Sequence, residues 1–349
     1  MKKKILYLEQ LRILSILMIM FMHRPAYHST DVLQPVTLSY GVKVLIGILV
    51  RCGVPFFFMI SGILLLGRKE SIVLLLKKRI LRFLAAMVIA YLCYKFCFPG
   101  RPELQAMIHT FNWFFYAYLA FLILLPVFRM IAQNVTREGT VYLLVLMFAA
   151  YTCYGVLQTA SLHLPMVENV LHYGGLDRWP SEYWTMIFPL TGYLITHFSE
   201  KGFTEREQKI FWRVMAVLGV LSLAAAFFFY LLAVRTDNDL MREGALQYFL
   251  FAPSCLLFEG ARRVLEPLEP KLPAWLAGAT EKMGAAVFGV FIIEVQTPFS
   301  WILYEKLEGY LVPVLGPYFP SVVSVLIAFS AYMVFVMLLR LLPPVRKII

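Results

Sequence analysis

The stretch LYLEQLRILSILMIMFMH, residues 6–23, holds three side chains of types that do chemistry: Glu9, Arg12 and His23. An imidazole ionises near neutral pH and is suited to taking up and handing on a proton. A guanidinium holds anions through a planar fork of donors. Eleven residues separate Arg12 from His23, and eleven steps of about 100° return a helical side chain to within about 20° of its starting direction. The two therefore share one face, roughly 16 Å apart along the axis. Glu9, one turn before Arg12, is placed to pair with it and to lower the cost of a guanidinium in an apolar segment. The rest of the stretch reads as a membrane span, so two ionisable groups on one stripe imply a polar path or cavity. Taken singly, each has a plainer reading, Arg12 as a snorkelling anchor and His23 as an ordinary interfacial residue. Their common face favours the functional one.

The elements that must position these groups are spans of a polytopic membrane protein. Of 349 residues, 60% are hydrophobic and only 15% charged, against roughly 25% charged in a soluble domain. The mean hydropathy is +0.74. Apolar stretches near the length a bilayer demands recur at about 5–23, 42–66, 83–99, 111–131, 140–160, 183–199, 213–234, 245–260, 283–304 and 319–341. The expectation is an all-α chain of about ten transmembrane helices forming a single membrane domain over 1–349, with short connections. The first apolar segment is too long for a cleavable signal peptide and lacks a small-residue cleavage site. The longest connection, around 161–182, contains HYGGLDRWPSEYW, which suits a folded loop at the membrane surface.

The net charge of +11 would fit nucleic acid, but the positive residues lie between spans, where topology explains them better. Lys2, Lys3, Lys4, Arg68, Lys69, Lys77, Lys78, Arg79, Arg82, Arg206, Lys209, Arg262, Arg263, Arg340, Arg346 and Lys347 fall on one side. Only scattered residues such as Arg24, Arg101, Arg178 and Lys306 fall on the other. This places both termini in the cytoplasm and the 161–182 connection outside. The five cysteines show no zinc spacing and read as packing residues. No two of His28, His109, His163, His172 and His197 form a metal pair, so no metal and no bound cofactor are expected.

Several motifs resemble those of one family. YLEQLRILSILMIMFMH resembles the opening of the acyltransferase-3 family of membrane acyltransferases, with an acidic residue, Leu-Arg, and a histidine eleven positions after the arginine. RCGVPFFFMISGILLL, residues 51–66, resembles the Arg-x-x-Val-Pro-x-Phe-Phe-x-x-Ser-Gly signature of the surface polysaccharide O-acyltransferase branch. KKRILRFL resembles the basic run that opens the family's third span, and NWFFYAYLAFLILLPVFR its fourth-span motif, carried by Trp113, Tyr116 and Pro126. FPLTGYLITHF resembles a later Gly-Tyr segment, at Gly192 and Tyr193. The resemblance is dense over the first 130 residues and beyond them is one of architecture.

The resemblance implies transfer of an acyl group, usually acetyl from cytoplasmic acyl-CoA as co-substrate, onto a hydroxyl of a cell-surface glycan or its lipid-linked precursor in a bacterial plasma membrane. The lipid bilayer, acyl-CoA and the saccharide are then the partners, with no nucleic acid. Such chemistry needs a base for the hydroxyl proton, for which His23 is the first candidate, or a His23 that itself carries the acyl group. Arg12 would line the donor's route, and Arg79 and Arg82 are candidates for the CoA phosphates, although positive-inside topology alone accounts for arginines there. Ser61, beside Gly62, offers a hydroxyl to the path or simply helix packing. Arg51 needs a partner, from the site or a glycan. Trp113 and Tyr116 pack under a sugar or form the interfacial aromatic belt.

One departure stands out. Where many relatives carry Tyr-Leu-Ile-His near the ninth span, this chain reads FGVFIIEVQTPF, with Glu294 at about the histidine's place. A carboxylate inside an apolar span faces a polar interior, either partnering a cation such as Arg51 or serving as a second acid-base group. A competing reading of the whole chain is a transporter or exporter of a saccharide or small anion through the same polar path.

Overall fold

The computed structural model describes residues 5–24, 38–97, 113–153, 187–297, 299–316 and 319–348, with a few residues between 156 and 169. Among these the regular secondary structure is all helical, joined by short turns, with no strand. Helix α1 spans Leu6–Met22, α2 Leu38–Val50 and α3 Gly53–Leu65. A turn at Ile72–Leu75, capped by Ser71 Oγ accepting from the Leu74 N–H at 3.2 Å, passes through π-helical Leu76–Ile80 into α4, Leu81–Cys97. Then come α5, Trp113–Asn134, and α6, Arg137–Phe148, which runs into a π-helical turn at Ala149–Cys153. Helix α7 is Ile187–Thr196, α8 Glu205–Thr236, α9 Asp239–Gln247 and α10 Phe251–Leu265. A 3₁₀ segment, Glu266–Lys271, precedes α11, Ala274–Gln296. Helices α12, Phe299–Leu315, α13, Phe319–Leu339, and α14, Pro343–Ile348, close the chain.

Each of the ten expected apolar stretches falls on helix among the described residues. Five helical segments there are long and apolar enough to cross a membrane: Gly41–Leu65, Trp113–Asn134, Glu205–Thr236, Ala274–Gln296 and Phe319–Leu339. Two boundaries differ instructively from the sequence reading. The expected span 283–304 ends at Gln296, because Thr297 precedes a proline and adopts extended backbone, φ −125 and ψ 153. The residues beyond the break form a separate helix, α12, and α11 itself starts earlier, directly after Pro273. Helix α8 starts well before the expected 213. Thr204 and Glu207 form a reciprocal capping box there, which begins the helix in a polar turn that hydropathy does not register. The 161–182 connection lies almost wholly outside the described residues.

The chain forms two compact units. The first comprises Met1–Ala26, Arg68–Pro126 and Val264–Ile349, and the second Tyr27–Gly67 and Val127–Arg263. In the first, α1 lies against α11 and α13, α12 packs on α11 and α13, and α4 on α11. Its core is aromatic: Phe83, Phe114, Phe115, Tyr118, Phe288 and Phe291 meet at centroid distances between 4.7 and 6.3 Å. Outward faces stay apolar, as at Ile327, Val334 and Phe335 of α13, the distribution expected where lipid replaces water.

In the second unit α3 and α7 cross with their backbones in contact. A Cβ placed on Gly62 would lie 1.9 Å from the Pro189 carbonyl oxygen, and one on Gly192 2.6 Å from Met59 Cα. Without a hydrophobic drive between helices in lipid, close backbone approach over small residues is what holds such a crossing. The Ser-Gly and Gly-Tyr motifs are thus two halves of one helix–helix contact. Arg129 and Gln133 of α5 finish α3 by donating to the Leu65 and Leu66 carbonyls at 3.0 and 2.6 Å, satisfying acceptors that a helix end leaves open. Gly62→Ala is expected to force α3 from α7 and lower the stability of detergent-purified protein by at least about 1–3 kcal/mol. Gly260→Ala, where nothing lies within 4 Å, is the control and should melt like wild type.

Candidate active site

Helix α1 carries its functional stripe on the packed side. Leu8, Leu11, Ile16, Ile19 and Met20 are buried around the direction in which Arg12 and His23 point, while Leu14, on the far side, is 40% exposed. Glu9 is buried and accepts from Arg12 Nη1 through both carboxylate oxygens, at 3.1 and 3.0 Å, which is the pair its one-turn spacing predicts. The carboxylate fits against α11 because residue 284 is glycine; a Cβ there would lie 2.2 Å from Glu9 Oε2 and 2.7 Å from Glu9 Cβ.

At the other end of the stripe His23 caps α1, its N–H bonded to the Ile19 carbonyl at 3.1 Å. Its Nδ1 lies 3.4 Å from Glu294 Oε1. The histidine side chain is 29% exposed and the carboxylate 1%, so the dyad has one open member and one sealed member. Glu294 thus stands beside His23 of the same unit.

The other Glu294 oxygen, Oε2, accepts from Ser300 Oγ at 2.8 Å and from Tyr304 Oη at 3.3 Å. Ser300 in turn accepts from Tyr332 Oη at 3.1 Å. Next to His23, Arg24, which the sequence counts among the scattered basic residues of the outer side, is only 3% exposed. Its Nε and Nη2 both lie 3.1 Å from Glu308 Oε1, and its Cζ sits 3.7 Å from the centroid of the Tyr304 ring. Ser324 Oγ donates to the same Glu308 oxygen at 3.0 Å.

Sequence reasoning misses Arg24, Ser300, Tyr304, Glu308 and Tyr332. Three of them have a readable signal: residues 300, 304 and 308 recur every four along FSWILYEKLEGY, a polar stripe on one face of an apolar helix. Hydropathy hides it, because it carries the ninth span straight through the helix break at Thr297.

The remaining sequence candidates have other surroundings. The Arg79 fork is occupied by Glu70, Nε to Oε2 and Nη2 to Oε1, both at 2.8 Å. Arg82 is exposed and donates from Nε to the Ile348 carbonyl at 3.2 Å. Trp113 and Tyr116, at the start of α5, are 45% and 40% exposed. Arg51 and Ser61 belong to the second unit and are both buried there; Arg51 donates from Nη1 to the Gly47 carbonyl at 2.7 Å, between α2 and α3. His197 stacks on Tyr193 at 4.0 Å, and its Nδ1 lies 2.7 Å from the Tyr193 carbonyl. His28, His109, His163 and His172 lie outside the described residues.

Chemically, the cluster presents an imidazole backed by a buried carboxylate, the arrangement that serves a general base or an acyl carrier. No curated protein and no solved structure matches the chain. A family model described as an acyltransferase domain matches residues 5–342, nearly the entire length. Apolar helices with a polar interior and that match together place the chain in the acyltransferase-3 family: it is a membrane acyltransferase.

Proposed function

We propose that this protein is an O-acyltransferase that moves an acetyl group from acetyl-CoA onto a hydroxyl of a cell-surface glycan or its lipid-linked precursor, in a bacterial plasma membrane. The observation that carries the reading is the His23–Glu294 dyad in a chain of this family. With Nδ1 turned to Glu294, Nε2 is the nitrogen left to accept the hydroxyl proton as the oxygen attacks the thioester carbonyl. The C–O bond forms, the C–S bond breaks, and the proton ends on the CoA sulfur. In a two-step relay His23 Nε2 would instead take the acetyl first and pass it to the hydroxyl. Arg12, roughly 16 Å along α1 on the same face, lines the donor's route, and Arg82, with Arg79, offers cations for its phosphates.

His23→Ala is expected to lower acetyl transfer by about 10²–10⁴-fold while the protein remains inserted and monodisperse. The measurement is labelling of glycan from radiolabelled acetyl-CoA by matched amounts of purified protein. Near-normal turnover by folded His23→Ala protein refutes the assignment, and movement of label across vesicles without transfer would favour an exporter.

Arg12→Lys keeps the charge but loses the planar guanidinium, whose Nη1 reaches both Glu9 oxygens. Transfer should fall strongly at unchanged expression. A snorkelling anchor would accept lysine almost freely, since lysine snorkels as well. Glu9→Gln, measured alongside, separates loss of the ion pair from loss of the guanidinium.

Ten spans with both termini cytoplasmic complete the reading, on the asymmetry of lysine and arginine. In a background lacking the five native cysteines, Ser161→Cys should react with an impermeant maleimide in intact cells and Val73→Cys should not. The reverse pattern would invert the topology.

A further inference from the structure

We infer that Ser300 is a positioning residue for the dyad, the centre of a hydrogen-bonded relay from α13 through α12 to Glu294, and that Tyr304 couples this relay to the Arg24–Glu308 ion pair. The inference deepens the proposed function and rests on His23 acting as base or acyl carrier.

The Ser300 hydroxyl has one proton, and two acceptors compete for it: Glu294 Oε2 at 2.8 Å and the Glu294 carbonyl at 3.2 Å. The shorter contact, to a group that can carry full charge, takes it. The Ser300 oxygen is meanwhile occupied as an acceptor by Tyr332 Oη at 3.1 Å, so its rotor is held from behind and its proton faces the carboxylate. Glu294 Oε2 is thereby fixed by a donor, which leaves Oε1 turned toward His23 Nδ1. A carboxylate with only one partner would rotate about its last bond; one held at both oxygens has a defined plane.

Tyr304 adds the second hold. Its hydroxyl reaches Oε2 at 3.3 Å, long for an O–H···O bond, and its ring carries the Arg24 guanidinium on one face. Arg24 comes directly after His23 in the chain, and its ion pair with Glu308 ties the end of α1 to α12. One α12 face, through residues 300, 304 and 308, thus fixes both members of the dyad, the carboxylate by hydrogen bonds and the imidazole through its chain neighbour. The groups around Glu294 are then His23 from α1, Ser300 and Tyr304 from α12 and Tyr332 from α13, with Arg24 and Glu308 behind Tyr304. None of the α12 or α13 groups is where the acyl group is exchanged; they act through Glu294.

Two readouts on the full-length protein test this. The first is the rate at which diethyl pyrocarbonate modifies His23, followed by mass spectrometry with His197 as internal reference. The second is kcat and KM for acetyl transfer. Ser300→Ala is expected to slow His23 modification and lower kcat, each by about tenfold, the effect of one hydrogen bond to a charged group, with KM for both substrates unchanged. Ser300→Thr, which restores the hydroxyl, should recover most of both. Tyr304→Phe, which keeps the ring under Arg24, should give a smaller loss of the same kind. In a Glu294→Gln background, Ser300→Ala should add less than about twofold, because the two act as one unit. Wild-type behaviour of Ser300→Ala, a Ser300→Thr worse than Ser300→Ala, or fully additive losses would each overturn the inference, the second by showing that the site selects for volume rather than for a hydroxyl. Should wild-type protein fail to transfer acetyl at all, the proposed function falls, and the modification series still decides whether Ser300 acts on His23 through Glu294.

Discussion

A carboxylate inside a membrane-spanning helix is costly unless it is paired or hydrogen-bonded, and Glu294, in the last turn of α11, has a side chain only 1% exposed. Its neighbours answer it. His23 sets an imidazole against one oxygen, and Ser300 and Tyr304 donate to the other. The carboxylate therefore dictates which helices must meet: α1 has to end, and α12 has to begin, beside the last turn of α11. The break in helical backbone at Thr297 is the means by which the chain turns there.

The same logic runs at the opposite end of α1. Glu9 and Arg12 are satisfied by one another, and the carboxylate nests where Gly284 lets α11 approach. One stripe of α1 thus takes part in two ionisable pairs, each with its carboxylate buried at the contact with α11. In the second unit the close approach is made by glycine alone, Gly62 on Pro189 and Gly192 on Met59, with no charge involved. Both units follow one rule: in a lipid-facing protein, tight contact comes from small residues and satisfied polar groups, since apolar side chains are as well placed outward as inward.

Much of this is legible in the sequence. Hydropathy locates the long apolar helices, because a bilayer demands length and apolarity that composition reports directly. Helical periodicity puts Arg12 and His23 on one face and Glu9 within reach of Arg12, since both relations lie inside one helix. Glu294 announces itself as a costly residue. Its partner does not, because His23 is 271 residues away in the chain and periodicity carries no information between helices. Arg24 reads as topology for the same reason: only its contacts with Glu308 and Tyr304 distinguish it from any loop arginine.

What the sequence by itself determined was an all-helical membrane chain, its family, and the short-range geometry of the stripe on α1. These come from solvent and from helix geometry, which act on neighbouring residues. Tertiary structure alone decided that His23 meets Glu294, that residues 300, 304 and 308 back the pair, and that the Ser-Gly and Gly-Tyr motifs are one helix crossing. Each of these is a meeting of side chains distant in sequence, selected by which buried polar group can satisfy which, and that selection exists only once the helices are packed.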